Sequence, residues 1–228
     1  MPNTARTVLF HEIGGPDVLT VEDVPVPDPG PGQVAVRVEA LGLNRAEALF
    51  RAGTYYYQPS LPASRLGYEA AGAVEAVGEG VTEVVVGDPV MTGPGIEMSA
   101  RGVYAERVVL PETSVVRRPA SVDAVTGAAA WLTYTTAYGG SVVVYGWLDR
   151  RPAEIPWNWP FTIHTYANGT FTSTPGGRRR STAFLDAGLS DGGFRPVVGE
   201  VLEGLDRIRD AHRLMESNAH TGKIVVRI

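Results

Sequence analysis

The sequence contains no cysteine in its 228 residues. Disulfide bridges, thiolate nucleophiles and cysteine-ligated metal are therefore excluded. No apolar run is long enough to cross a bilayer, and residues 1–15 hold no apolar signal core. A cytoplasmic protein is the expectation, with no membrane partner. Basic charge is in the minority: 20 Lys and Arg stand against 25 Asp and Glu, a formal net charge of -5. The longest basic run, Arg178-Arg179-Arg180, lies in a Gly/Ser/Thr-rich stretch. It reads as a solvated loop rather than an anion site, and no nucleic-acid partner is expected. His11, His212 and His220 show no metal-ligand spacing, so no metal is expected. No G-x-G-x-x-G follows a strand and opens a helix anywhere in the chain.

What is abundant is turn chemistry. There are 27 Gly and 17 Pro, and between them lie short stretches of strand character at 7–11, 19–24, 33–41, 67–77, 87–91 and 102–110. In the third, Val34, Val36 and Val38 alternate with Ala35, Arg37 and Glu39, the pattern of a half-buried strand. Many short strands punctuated by Gly and Pro predict a partly closed β-barrel. Residues 44–52 predict a short helix, with Asn44 as N-cap and Glu47 as its capping-box partner three positions on. Residues 121–138 and 181–189 predict further helices. Residues 205–217 predict a stronger one, because Leu205, Ile208, Ala211, His212 and Met215 fall near one face. Val142-Val143-Val144-Tyr145 suits a fully buried strand. Residues 161–171 suit a second strand, and 223–228 a closing one.

Several segments resemble one family in their order along the chain. Asn44-Arg45-Ala46-Glu47, then Arg51 and Tyr55, are similar to a motif of the zinc-independent quinone and enoyl reductases of the medium-chain dehydrogenase/reductase superfamily. So are Gly67-Tyr68-Glu69-Ala70-Ala71-Gly72, Gly87-Asp88-Pro89-Val90 and Gly102-Val103-Tyr104-Ala105-Glu106. The stretch from Trp131 to Gly139 resembles the entry into the nucleotide-binding domain. Gly222-Lys223-Ile224-Val225-Val226 resembles the return from it. The implied fold is α+β and mainly β. A GroES-like, partly closed β-barrel is expected over 1–126 plus 195–228. A truncated Rossmann remnant of two strands and flanking helices is expected over 127–194.

The truncation follows from length. A βαβ unit needs roughly 30 residues, and nothing between Ala137 and Val142 holds one. In the family, several such units and a glycine-rich pyrophosphate turn stand at this point. Their loss removes the expected cofactor site, so no cofactor is expected. Lys223 then reads as an exposed end-strand lysine.

The resemblance places Asn44, Arg51, Tyr56, Trp131, Tyr134, Tyr145 and Trp157 beside a substrate, with Glu47, Tyr55 and His164 as candidate catalytic groups. Each has a plainer alternative. Asn44 and Glu47 suit helix capping, and Tyr55-Tyr56-Tyr57 suits loop packing. His164 suits a structural strand position. The aromatic run from Trp157 to Phe161 suits the filling of vacated volume as well as an apolar pocket. Three functions stay open on these residues. The leading expectation is a cofactor-independent enzyme that cyclises, isomerises or dehydrates a conjugated carbonyl or polyketide-like natural product, since a shaped cleft promotes ring closure by orientation. The others are an NADPH-dependent quinone or enoyl reductase with an atypical cofactor site, and a non-catalytic binding or regulatory protein. An unpaired edge at Val142 to Tyr145 further suggests a homodimer through the strand at 161–171.

Overall fold

The computed structural model describes residues 4–132, 142–144, 163–165 and 172–228, with 142–144 and 163–165 described through their backbone. The chain opens with an antiparallel hairpin, β1 (Thr4–Phe10) against β2 (Leu19–Pro25). Next come β3 (Gln33–Gly42), α1 (Arg45–Arg51), β4 (Glu69–Val77) and β5 (Pro89–Thr92). They are followed by α2 (Met98–Arg101), β6 (Arg107–Pro111), β7 (Val115–Arg117) and α3 (Ala124–Ala128). Two short strands, β8 (Val142–Val144) and β9 (Ile163–Thr165), pair in parallel. The chain then forms α4 (Pro175–Ser190), β10 (Val198–Glu203), α5 (Ile208–Ser217) and β11 (Lys223–Arg227).

β3 organises the molecule. One of its edges pairs with β4 along nearly its whole length. The other is shared: residues 33–37 pair with β6, and residues 40–42 with the final strand, β11. Splitting one edge between two partners forces the sheet to curl, because β6 and β11 must diverge from a common neighbour. The path β10-β11-β3-β4-β5-β7 does not close on itself among the described residues. The barrel is thus an open, curled sheet, and β1 reaches it through backbone bonds to Tyr104 and Glu106.

β3 serves two cores, because the register shift between Val38 and Ala40 turns the end of the strand over. Val34, Val36 and Val38 join Phe10, Phe50, Leu66, Tyr104 and Ile208 inside the curl. On the outer face, Ala40, Ala71, Met91, Val116 and Val225 pack against Trp131, Leu185 and Leu189. Small residues on this face let α3 lie close. A Cβ on Gly42 would stand 2.0 Å from the Ala128 carbonyl oxygen.

Several expectations change. Of the helix expected over 121–138, Ala124–Ala128 forms α3, a turn follows at 129–130, Trp131 and Leu132 are helical again, and residues 133–138 lie outside those described. The helix of 205–217 begins as a 3-10 turn, Leu205–Arg207, and becomes α-helical at Ile208. Arg178 is not in a solvated loop: it lies in the first turn of α4, capped by Thr174, and its guanidinium grips both Glu83 oxygens at 2.9 and 3.1 Å. Of the strand expected at 161–171, the described part is β9, whose partner is β8 of the same chain. No helix among the described residues is long and apolar enough to cross a membrane.

Candidate functional site

The site is built where α1, the start of β4 and the start of β11 meet. Asn44 ends β3's excursion with an extended backbone and begins α1. Its backbone N–H donates to Glu47 Oε2 at 2.8 Å, the carboxylate half of a capping box. The Asn44 side chain does something the capping reading did not foresee. Its Nδ2 donates to Glu69 Oε2 at 3.0 Å, and its Oδ1 accepts from Lys223 Nζ. Lys223 Nζ also donates to Glu69 Oε2 at 2.5 Å and to the Leu43 carbonyl at 3.2 Å.

Lys223 is therefore not the exposed end-strand lysine expected. Its side chain is only 15% exposed, and its ammonium is held by three oxygens of the barrel. The reason is electrostatic. Glu47 and Glu69 are both buried within this junction, and buried charge of one sign requires a partner. Burial pushes the Glu47 carboxyl up to about 7, against the pull of Lys223 and the Tyr68 N–H, while Glu69 beside it pushes further up. Two buried carboxylates thus share one cation.

A second group of polar atoms adjoins this network through Tyr68, whose backbone N–H donates to Glu47 Oε1 at 3.1 Å. Gly67 delivers Tyr68 there with φ at +105°, a backbone that favours glycine. The Tyr68 hydroxyl lies 2.7 Å from that of Tyr57 and donates to that of Tyr55 at 3.4 Å. Tyr57 Oη accepts the Met98 N–H at 3.3 Å. The rings of Tyr55, Tyr56 and Tyr57 pack tilted and edge-on against one another, with centroids 4.5 to 5.2 Å apart and Phe50 against Tyr55 and Tyr57. Tyr56 stands outermost, 83% exposed. Burial, reinforced by mutual hydrogen bonding, raises the Tyr68 phenol far above its ordinary value, and burial raises those of Tyr55 and Tyr57 as well. All three are neutral donors at physiological pH.

The structure thus brings Asn44, Glu47, Tyr55 and Tyr56 into one region. Trp131 is buried in the outer core, close to where the Leu132 N–H donates to Glu69 Oε1 at 2.8 Å. Arg51 turns inward instead, its guanidinium bonded to the Gly14 carbonyl and to Glu216. Its neighbours His212 and Tyr104 carry buried polar atoms with no partner. Tyr134, Tyr145 and Trp157 lie outside the described residues. His164 is placed by its backbone alone, opposite Val143. Tyr68, Glu69 and Lys223 were missed as site residues, although Gly67-Tyr68-Glu69 was in view as a motif.

No zinc site fits the described residues. Lys223, the cation nearest the junction, is already occupied. Among the described residues no group of three or more His, Asp or Glu stands together as metal ligands, and the chain has no cysteine.

Comparison with known proteins agrees with this geometry on the barrel side. Residues 30–120 match the alcohol dehydrogenase GroES-like domain, and residues 105–226 match the zinc-binding dehydrogenase family. Quinone oxidoreductase of Pseudomonas aeruginosa is 43% identical over 137 residues, 59% of this chain and 40% of that protein. Human quinone oxidoreductase is 37% identical over 153 residues, 62% of this chain and 45% of that protein. The matched segment is less than half the length of either relative. The structure of Escherichia coli quinone oxidoreductase complexed with NADPH superposes with a TM-score of 0.82 at 18% identity, covering 98% of this chain and 100% of that one. At that identity the likeness establishes the fold.

These findings overturn the leading functional expectation. Cofactor-independent cyclisation, isomerisation or dehydration of a natural product drew its support from the shortened nucleotide domain. The quinone oxidoreductases among its relatives, and the quinone oxidoreductase whose structure superposes on it with NADPH bound, are instead named for oxidoreduction. With that family model covering more than half of its length, the chain belongs to the zinc-binding dehydrogenase family of the medium-chain dehydrogenase/reductase superfamily.

Proposed function

We propose that the chain is an NADPH-dependent quinone or enoyl reductase whose cofactor site departs from the family's. The observation that carries this reading is that quinone oxidoreductases are 37 to 43% identical to this chain over 59 to 62% of its length. The site chemistry is compatible with it. Reduction of a conjugated carbonyl places negative charge on oxygen, and donors aimed at that oxygen stabilise the charge as it develops. Neutral phenols supply such donors without adding charge of their own. Tyr56 offers an exposed aromatic face for a flat ring, with Tyr55 and Tyr57 fixing its tilt.

NADPH, when bound, supplies the hydride. The described residues act on the substrate side alone. Glu47, with its carboxyl poised near neutrality, holds the Tyr68 backbone in place and acts on the Tyr55 phenol through its charge. Its role is to fix the donor array, and its proton is exchangeable close to working pH.

The test is direct. NADPH is titrated into the full chain by calorimetry, and its oxidation is followed optically with a naphthoquinone as acceptor. Saturable binding with quinone-dependent oxidation is expected. No binding up to millimolar NADPH, together with no oxidation, would remove the reductase reading.

A further inference from the structure

The three tyrosine hydroxyls can be read as an ordered chain once their protons are counted. Each phenol has one proton to donate and lone pairs to accept. Tyr57 Oη already accepts the Met98 N–H, which anchors one end of the chain to the backbone. Tyr57 and Tyr68 share a single hydrogen bond at 2.7 Å. Tyr68 donates to Tyr55 at 3.4 Å. With Tyr68's proton committed to Tyr55, the bond between Tyr57 and Tyr68 must use Tyr57's proton. Polarity then runs one way, from the Met98 amide through Tyr57 and Tyr68 to Tyr55. The proton left uncommitted is that of Tyr55, which is half-buried rather than sealed in the core.

We propose that Tyr68 and Tyr57 are positioning residues that fix the Tyr55 hydroxyl as the terminal hydrogen-bond donor to a carbonyl or phenolate oxygen of a flat conjugated substrate. This deepens the reductase reading and rests on it for the reaction, although the donor array itself does not require the cofactor. Hydrogen bonds in series polarise one another. Tyr55 is therefore a stronger donor with Tyr68 behind it than alone. Burial raises the Tyr55 phenol, and the hydrogen bond it accepts from Tyr68 pulls it back down, the direction expected of a polarised donor. Tyr68 also connects the array to the buried charges, since the same residue offers its N–H to Glu47.

The experiment uses the full chain with Tyr55→Phe, Tyr68→Phe, Tyr57→Phe and the Tyr55→Phe/Tyr68→Phe double variant. Two quantities are read: the affinity for 4-nitrophenolate, followed by its absorbance, and kcat and KM for naphthoquinone with NADPH. A hydrogen bond to a charged acceptor contributes on the order of tenfold in affinity. Tyr55→Phe should lose about that much, and Tyr68→Phe about threefold, with Tyr57→Phe in the same direction but smaller. The double variant should be no weaker than Tyr55→Phe alone, because Tyr68 acts through Tyr55. NADPH affinity should not change.

Phenolate affinity unaltered by Tyr68→Phe in a folded variant would overturn the proposal, as would losses that simply multiply in the double variant or a wild-type chain that binds no phenolate. If phenolate binding depends on the tyrosines but no quinone is reduced, the reductase reading fails and the donor chain stands. If quinone is reduced with no sensitivity to Tyr68, the reverse holds. Circular dichroism and thermal melting of each variant separate loss of the donor from loss of the fold, and Tyr57→Phe approaches the same chain from its other end.

Discussion

The ammonium of Lys223 lies 2.5 Å from the carboxylate of Glu69, across 154 positions of sequence. This contact ties the last strand to the start of β4, and no other cation approaches Glu69 as closely among the described residues. Removing one partner of a buried ion pair leaves the other charged and desolvated. Lys223→Met is expected to cost about 3 kcal/mol, measured by urea unfolding. A loss under about 1 kcal/mol, the range of an exposed pair, would count against the network as drawn.

The pH dependence of stability should reveal two opposed titrations. Glu47 is raised from 4.5 to about 7, so it binds more protons folded than unfolded. Its contribution is full below 4.5 and is lost as pH rises through about 7. His212 is buried, and burial, with the charge of Arg51, lowers it from 6.5 to about 3. Its contribution is full above 6.5 and is lost as pH falls toward 3. Between 4.5 and 6.5 the two slopes cancel in part, each at most about 1.4 kcal/mol per pH unit. His212→Leu should therefore leave stability falling with pH across that window, and Glu47→Gln should leave it rising. Parallel profiles in the two variants would contradict the assignment.

His212 gives a second expectation. Both of its ring nitrogens are buried without a hydrogen-bond partner, Glu216 Oε1 standing 3.9 Å from Nδ1. Replacing an unsatisfied polar group by an apolar one of similar size is neutral or favourable. His212→Leu should leave the melting temperature at neutral pH unchanged or higher. A loss of more than about 2 kcal/mol would mean that the imidazole is hydrogen-bonded after all.

Gly67 is constrained twice. Its φ is +105°, and a Cβ there would lie 2.2 Å from the Tyr104 ring. Tyr104 is itself fully buried and has nowhere to move. Gly67→Ala should destabilise by about 2 kcal/mol or more and displace Tyr68, so phenolate affinity should fall even where the variant is folded. Thermal unfolding together with phenolate titration checks both parts.

Local patterns revealed much of the barrel. Val34, Val36 and Val38 announced β3 through alternation, and Asn44 with Glu47 announced α1 through capping, because both signals lie within a few residues. The junction was less visible. Glu69 and Lys223 look like ordinary strand-end charges until the sheet brings them together, and no spacing rule connects positions 154 apart. Tyr68 sat in a familiar motif, yet its meaning depends on Tyr55 and Tyr57, which reach it from a different loop. β10 was missed because it is an edge strand in parallel with β11, a pairing that carries no hairpin signature. Arg51 shows the opposite case: family position suggested a cleft residue, while in the fold its guanidinium bonds the Gly14 carbonyl and Glu216.

The two oxygens of Glu69 face different parts of the chain. One receives the Leu132 N–H, just beyond α3, and the other receives Lys223, at the head of the final strand. A single carboxylate thus clasps two distant stretches of the chain, and loss of its charge would loosen both at once.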